Sequence, residues 1–217
     1  MKIKAVEAVI AAQPNQDILY VDSDTFLYQD LEAIKKGLAE GKPYMHAFET
    51  TLGARPLRTI DRIYQSLNGK TFARYRIGAE SEMWNAGVIA LPAASAASYV
   101  ADALMLCDAM TATDCERILL EQFAFSLALN RENKLQSAEH IIGHYWGNKS
   151  AWNQATQLFI LRGLMQGMDF KQLCAYSGDF EFSALPLIER KRKRAAQLHR
   201  LIDRCFPIKR KIYFQSR

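Results

Sequence analysis

The sequence predicts a mixed α/β domain, and three observations carry that prediction. An amphipathic helical pattern over 3–12 feeds an apolar strand over 18–22, a second apolar run over 85–91 reads as a buried strand, and further helical patterns alternate with these runs. The chain of 217 residues is long enough for one sizeable core, and 49% hydrophobic with 24% charged residues is an ordinary globular balance.

Taken in order, Ile3, Val6, Val9 and Ile10 recur at helical spacing, and Gln13-Pro14-Asn15 closes that helix. Ile18 to Asp22 follows as a strand. Leu31 to Leu38 reads as a short helix ended by Gly41, and Tyr44 to Phe48 as a short strand. Arg58 to Leu67 is helical, with Ile60, Ile63, Tyr64 and Leu67 on one face and Asn68-Gly69 as the stop. Asn85 to Leu91 is the second strand, closed by Pro92. Ala96 to Ala109 and Cys115 to Leu129 are long helices, the latter with Ile118, Leu119, Phe123 and Leu127 as its core stripe. His140 to His144 is a short extended segment, and Ala151 to Gln166 a further helix.

Charge divides the chain. From Glu189 onward eleven basic side chains stand against two acidic ones, so the tail carries +9 and the remainder −4 of a net +5. The expected organisation is a domain over 1–185 and a basic tail over 186–217, in which Leu198, Leu201, Ile202 and Phe206 make an amphipathic helix. Two readings of that tail remain open: a solvated helix, or one drawn to the anionic surface of a membrane. No recognised nucleic-acid module accompanies the charge, so nucleic acid is not an expected partner. Cys107, Cys115, Cys174 and Cys205 are scattered without a paired spacing and read as reduced thiols. No apolar run approaches the roughly 20 residues of a membrane span, and the first residues lack a signal-peptide core. The expectation is a cytoplasmic chain, peripheral on the inner face of the membrane if the tail docks.

Four short motifs carry chemistry. Asp22 and Asp24 end the first strand one residue apart, so alternation would turn both to the same side and let them share one cation. Hard oxygen ligands suit Mg²⁺ or Mn²⁺, which in turn suit a diphosphate, and carboxylates at the carboxyl end of a buried strand lie where open α/β sheets bind ligands. Asp-Ser-Asp-Thr is equally good turn chemistry. Trp84-Asn85-Ala86-Gly87 places an amide at the mouth of the second strand, where it can serve a polyhydroxylated ligand or a plain turn. Glu121-Gln122 precedes an apolar helix face. His144-Tyr145-Trp146-Gly147-Asn148-Lys149 brings together an imidazole able to complete a carboxylate metal site, a glycine and an ammonium for phosphate.

In order and approximate spacing, these elements resemble GT-A fold glycosyltransferases, especially the bacterial enzymes of glycosyltransferase family 8. There an apolar strand ending in D-x-D is followed by an N-A-G strand, an acidic-Gln pair and an H-x-x-G-x-x-K loop, and the matching stretch here is residues 18 to 152. The resemblance implies a GT-A mixed sheet with flanking helices. Asp22, Asp24 and His144 would hold Mn²⁺ or Mg²⁺ against a nucleotide-sugar diphosphate. Asn85, with Ala86 and Gly87, would meet the donor sugar, Gln122 and Glu121 would lie at the reacting carbon, and Gly147 with Lys149 would grip the phosphates. The reaction implied is retaining transfer of a hexose to a saccharide or lipid-linked acceptor, as in surface-polysaccharide synthesis. Glu80, Glu82 and Glu121 are each conceivable as the catalytic base. The loop here is one residue shorter, H-x-x-G-x-K, and only 21 residues precede Asp22, where the family has a longer nucleotide-binding part. A truncated, N-terminally incomplete member is therefore expected, with a non-catalytic binding module as the alternative. The D-x-D-x-T pattern also fits a haloacid-dehalogenase-like phosphatase with an aspartyl nucleophile, but the later acidic pair that family needs has only a poor match around Asp179.

Overall fold

The computed structural model describes residues 2–189 together with Leu198, Leu201, Ile202 and Cys205. The chain divides into two compact units, Met1–His144 and Tyr145–Arg217. The boundary expected near Pro186 falls inside the second.

The first unit is mixed α/β. Its elements are α1 (Lys2–Ala12), β1 (Ile18–Val21), β2 (Thr25–Leu27), α2 (Glu32–Ala39), β3 (Tyr44–Met45), β4 (Phe48–Thr51), α3 (Arg58–Leu67), β5 (Thr71–Phe72), β6 (Tyr75–Arg76), β7 (Glu82–Trp84), β8 (Val88–Leu91), α4 (Ala96–Thr111), α5 (Leu120–Leu129), β9 (Gln136–Ser137) and β10 (Ile142–His144). The main sheet runs β1-β8-β3-β9. β8 is antiparallel to both β1 and β3, while β3 and β9 are parallel. Every residue of β8 is buried, which its unbroken apolar sequence requires of a central strand covered on both faces. On one side Ile89 and Leu91 join the main core with α1, α3, α4 and α5; on the other Val88 and Ala90 pack with Ile34, Leu38 and Ile142.

Two smaller pairings position the site. β2 pairs antiparallel with β10, which sets His144 opposite Thr25. β4 pairs with β7 across an irregularity between Phe48 and Thr50, so Glu49 is the extra residue of a bulge. A Cβ on Gly143 would press into the Phe26 ring, so glycine permits the close β2–β10 approach at this point.

Several expected elements shift. The strand read over 44–48 is two strands, because the chain leaves β3 after Met45 and bends at His46 before entering β4 at Phe48. Asn85, Ala86 and Gly87 form the turn into β8 rather than part of it. The helix expected from Cys115 begins only at Leu120, since Leu119 takes a left-handed backbone with φ of 67° that no α-helix accommodates. Ile118 is accordingly exposed instead of lying in the core stripe, whereas Phe123 is fully buried.

The second unit opens with α6 (Lys149–Met165) and α7 (Phe170–Tyr176). Asp169 caps α7 through a capping box with Gln172. Its interior is aromatic: Phe159 stacks on Tyr176 with centroids 4.4 Å apart and meets Phe180 edge-on at 5.1 Å. Trp152 stacks on Tyr145 and donates its indole N–H to the Pro186 carbonyl. The amphipathic tail helix expected over 187–206 lies largely outside the described residues; Ile188 is not helical but bridges to Gly147, whereas Leu198, Leu201, Ile202 and Cys205 are helical and exposed. Among the described residues no helix is long and apolar enough to cross a membrane. All four cysteines are free thiols.

Phe123 fills the junction of α5 with the main core, so Phe123→Ala leaves a cavity there. Urea unfolding is expected to show a loss of about 3–5 kcal/mol, and a loss below about 1 kcal/mol would contradict this packing.

Candidate metal centre

The chain leaves the main sheet at Val21 and enters the β2–β10 pair at Thr25, so Asp22 and Asp24 lie in the connection between two sheets. They converge through a turn, not through strand alternation. The Thr25 hydroxyl donates to the Asp22 carbonyl at 2.8 Å and fixes the turn, while the Asp22 N–H donates to Gly87 O at 2.8 Å and ties it to the β8 entry. His144, the last residue of β10, brings Nε2 to 3.4 Å from Asp24 Oδ2 and 3.9 Å from Asp22 Oδ2. One ligand atom from each of the three lies within 4.8 Å of the others, so the group can hold a metal ion. Asp24 and His144 are buried, at 7% and 4% exposure.

Asn85 decides which nitrogen of His144 faces the carboxylates. Its Oδ1 accepts the Gly87 backbone N–H at 2.9 Å, and its Nδ2 donates to Glu49 Oε1 at 2.8 Å. A backbone N–H only donates and a carboxylate only accepts, so the amide orientation is fixed at both ends. The His144 Nδ1 at 2.9 Å from that same Oδ1 must therefore carry the proton. Because burial favours the neutral ring, the structure is read with Nε2 unprotonated and its lone pair toward Asp22 and Asp24. Carboxylate oxygens facing an imidazole lone pair favour a positive charge among them, a need the Lys2 ammonium meets on the Asp22 side, and burial pushes the His144 pKa down despite the pull of Asp24 and Asp22. A divalent cation with oxygen and imidazole ligands satisfies this donor set.

Gly87 belongs to the same device. A Cβ there would stand 2.2 Å from His144 Cε1 and Nδ1, so only glycine leaves room for the ring. The N-A-G turn thus supplies the space and the hydrogen bond that orient the imidazole.

Around this core the structure brings together most of the residues expected from sequence. Gln122, on α5, accepts the Ala86 N–H at 3.4 Å and donates to Glu49 Oε2 at 2.9 Å. Buried Ser126, one turn on, receives the Trp84 N–H and donates to the Gln122 carbonyl, docking α5 on β7. Glu121 turns away toward α1, its Oε1 accepting the Ile3 N–H at 2.8 Å, where a carboxylate completes a helix N-terminus. Glu82 is taken up by the Trp84 indole and Asn130, and Glu80 is exposed in a turn. Gly147 and Lys149 belong to the second unit. There Gly147 pairs with Ile188, against which a Cβ would press, and Lys149 is the first residue of α6.

Four residues of the network carry no sequence signal. Glu49, thrown outward by the β4 bulge, clamps both Asn85 and Gln122. Lys2 donates from Nζ to Asp22 Oδ2 at 2.7 Å and to the Ala86 carbonyl at 2.9 Å. The Tyr20 hydroxyl donates to Asp22 Oδ1 at 2.8 Å; burial, then the Asp22 hydrogen bond, raises its pKa to about 12. His46 crosses the His144 ring edge-on with centroids 5.2 Å apart, and its Nε2 lies 3.1 Å from the Ile142 carbonyl. Against known proteins, no family model, no curated protein and no solved structure matches the chain.

Burial, reinforced by the neighbouring His144, lowers the His46 pKa from 6.5 to about 4. The unfolded chain then takes up a proton that the native chain refuses, so the stability His46 contributes is present above about pH 6.5 and is lost as pH falls toward 4. At roughly 1.36 kcal/mol per unit, the loss is on the order of 2–3 kcal/mol. Denaturant unfolding between pH 7 and pH 4 should show this slope, flattened in His46→Gln; identical profiles for the two proteins would contradict it.

Proposed function

We propose that this chain is a metal-dependent glycosyltransferase of GT-A type, moving a hexose from a nucleotide sugar to a saccharide or lipid-linked acceptor. The observation that carries the reading is the oriented Nε2 lone pair of His144 facing Asp22 and Asp24, with an amide-bearing wall of Asn85 and Gln122 beside it. The motif order of the sequence supports it. Both places where the amides converge, the Glu49 carboxylate and the Ala86–Gly87 backbone, belong to the same cluster.

In this reading Asp22, Asp24 and His144 hold Mn²⁺ or Mg²⁺. When bound, the ion supplies charge stabilisation for the nucleoside diphosphate that leaves as the glycosyl bond breaks. Asn85 acts as a positioning residue, since both ends of its amide are engaged in holding His144 and Glu49. Gln122 presents an amide of fixed orientation at the donor sugar, its oxygen on the Ala86 N–H and its nitrogen on Glu49. Glu49 keeps that pair in register and is exposed, so it is also the carboxylate best placed to meet a sugar hydroxyl. Glu121 anchors α1 through its Oε1. The basic tail is the part that meets an anionic membrane surface on the cytoplasmic side.

Calorimetry with UDP-sugars tests the reading. Binding is expected in the presence of Mn²⁺, abolished by EDTA, and weakened at least a hundredfold in Asp24→Asn, which removes a buried ligand charge. Absence of nucleotide-sugar binding at any concentration, with Mn²⁺ still bound, would instead identify a binding module without transfer.

A further inference from the structure

The Lys2 ammonium sits on the very carboxylate that a cation in this site needs. It lies 2.7 Å from Asp22 Oδ2, the oxygen that faces His144 Nε2 at 3.9 Å, and a second acceptor, the Ala86 carbonyl at 2.9 Å, holds it there. Its side chain is only 30% exposed, and the Tyr20 ring lies 5.4 Å below the charge. Asp22 Oδ1 is meanwhile taken by the Tyr20 hydroxyl. Both oxygens of one of the three ligands are therefore engaged by donors from α1 and β1.

The helix that carries Lys2 is fixed independently. Glu121 receives the Ile3 N–H, and Ile3 and Val6 are buried in the main core. The flexible Lys2 side chain can thus swing away without disturbing α1. A lysine ammonium is a compact point charge on a four-carbon stem, suited to exchange between two anionic partners.

From these contacts we infer that Lys2 is a built-in counter-ion of the site, and that a divalent cation binds by displacing its ammonium from Asp22; the inference rests on reading the triad as a metal site. Two cations on one carboxylate repel, so Lys2 weakens the binding of the bare ion. It also gives the site a preference for an ion that arrives with an anionic ligand. The displaced ammonium then finds a phosphate oxygen in place of Asp22, and the repulsion is relieved. Lys2 in this way favours metal–diphosphate over metal alone.

Isothermal titration with Mn²⁺ alone, then with Mn²⁺ and UDP, is the test, run on the unmodified protein, Lys2→Gln, Lys2→Arg and Asp24→Asn, with circular dichroism to confirm that α1 is retained. Lys2→Gln should bind Mn²⁺ alone at least fivefold more tightly, Lys2→Arg should stay within twofold of the unmodified protein, and UDP should tighten Mn²⁺ binding less in Lys2→Gln than in the unmodified protein. Equal or weaker Mn²⁺ binding by a folded Lys2→Gln, with Asp24→Asn still defective, overturns the role of Lys2 and leaves the metal site standing. Failure of every variant and of the unmodified protein to bind Mn²⁺ overturns both.

Discussion

The hydrogen bond from His144 Nδ1 to Asn85 Oδ1 is the contact on which the site depends. It assigns the imidazole tautomer, and the tautomer decides whether Nε2 is a donor to the carboxylates or a lone pair able to share a cation with them. The bond itself is determined from outside, by the Gly87 N–H on one end of the amide and by Glu49 on the other. Remove either restraint and the amide can turn, so the orientation of one ring rests on a bulge in β4 and a turn before β8.

The fold makes this possible through a transfer of the chain between sheets. β1 belongs to the main sheet and β2 to a separate pair with β10, so the two aspartates occupy the crossing point and His144 is delivered opposite it. Glycine appears wherever that crossing is tight: Gly87 under the His144 ring and Gly143 beside Phe26. Burial then raises the stakes, because two of the three ionisable groups at the crossing, Asp24 and His144, are buried and interact strongly with one another and with any cation that enters. The Lys2 ammonium partly compensates the carboxylate charge.

Much of the α/β framework and the grouping of Asp22, Asp24 and His144, which could hold a metal ion, were legible in the sequence, since helical periodicity, the wholly apolar β8 and the D-x-D, N-A-G and His motifs are local signals. What they meant was less legible. Asn85 reads as a ligand contact, yet its amide is committed to the protein, a fact visible only when Glu49 and His144 arrive from distant strands. Glu49 is placed by a bulge and Lys2 by the docking of α1, and neither event has a one-dimensional signature. The early start assigned to α5 failed for a related reason: apolar spacing continues through Ile118 and Leu119, but a left-handed backbone at Leu119 breaks the helix there.

The tautomer of His144 is the most direct test, because every role assigned to the site follows from it. Nitrogen-15 NMR of the histidine imidazoles at neutral pH should show His144 neutral, with the proton on Nδ1 and Nε2 unprotonated, and its Nε2 signal should be the one broadened most by Mn²⁺. A proton on Nε2, or a charged imidazolium at pH 7, would contradict the account.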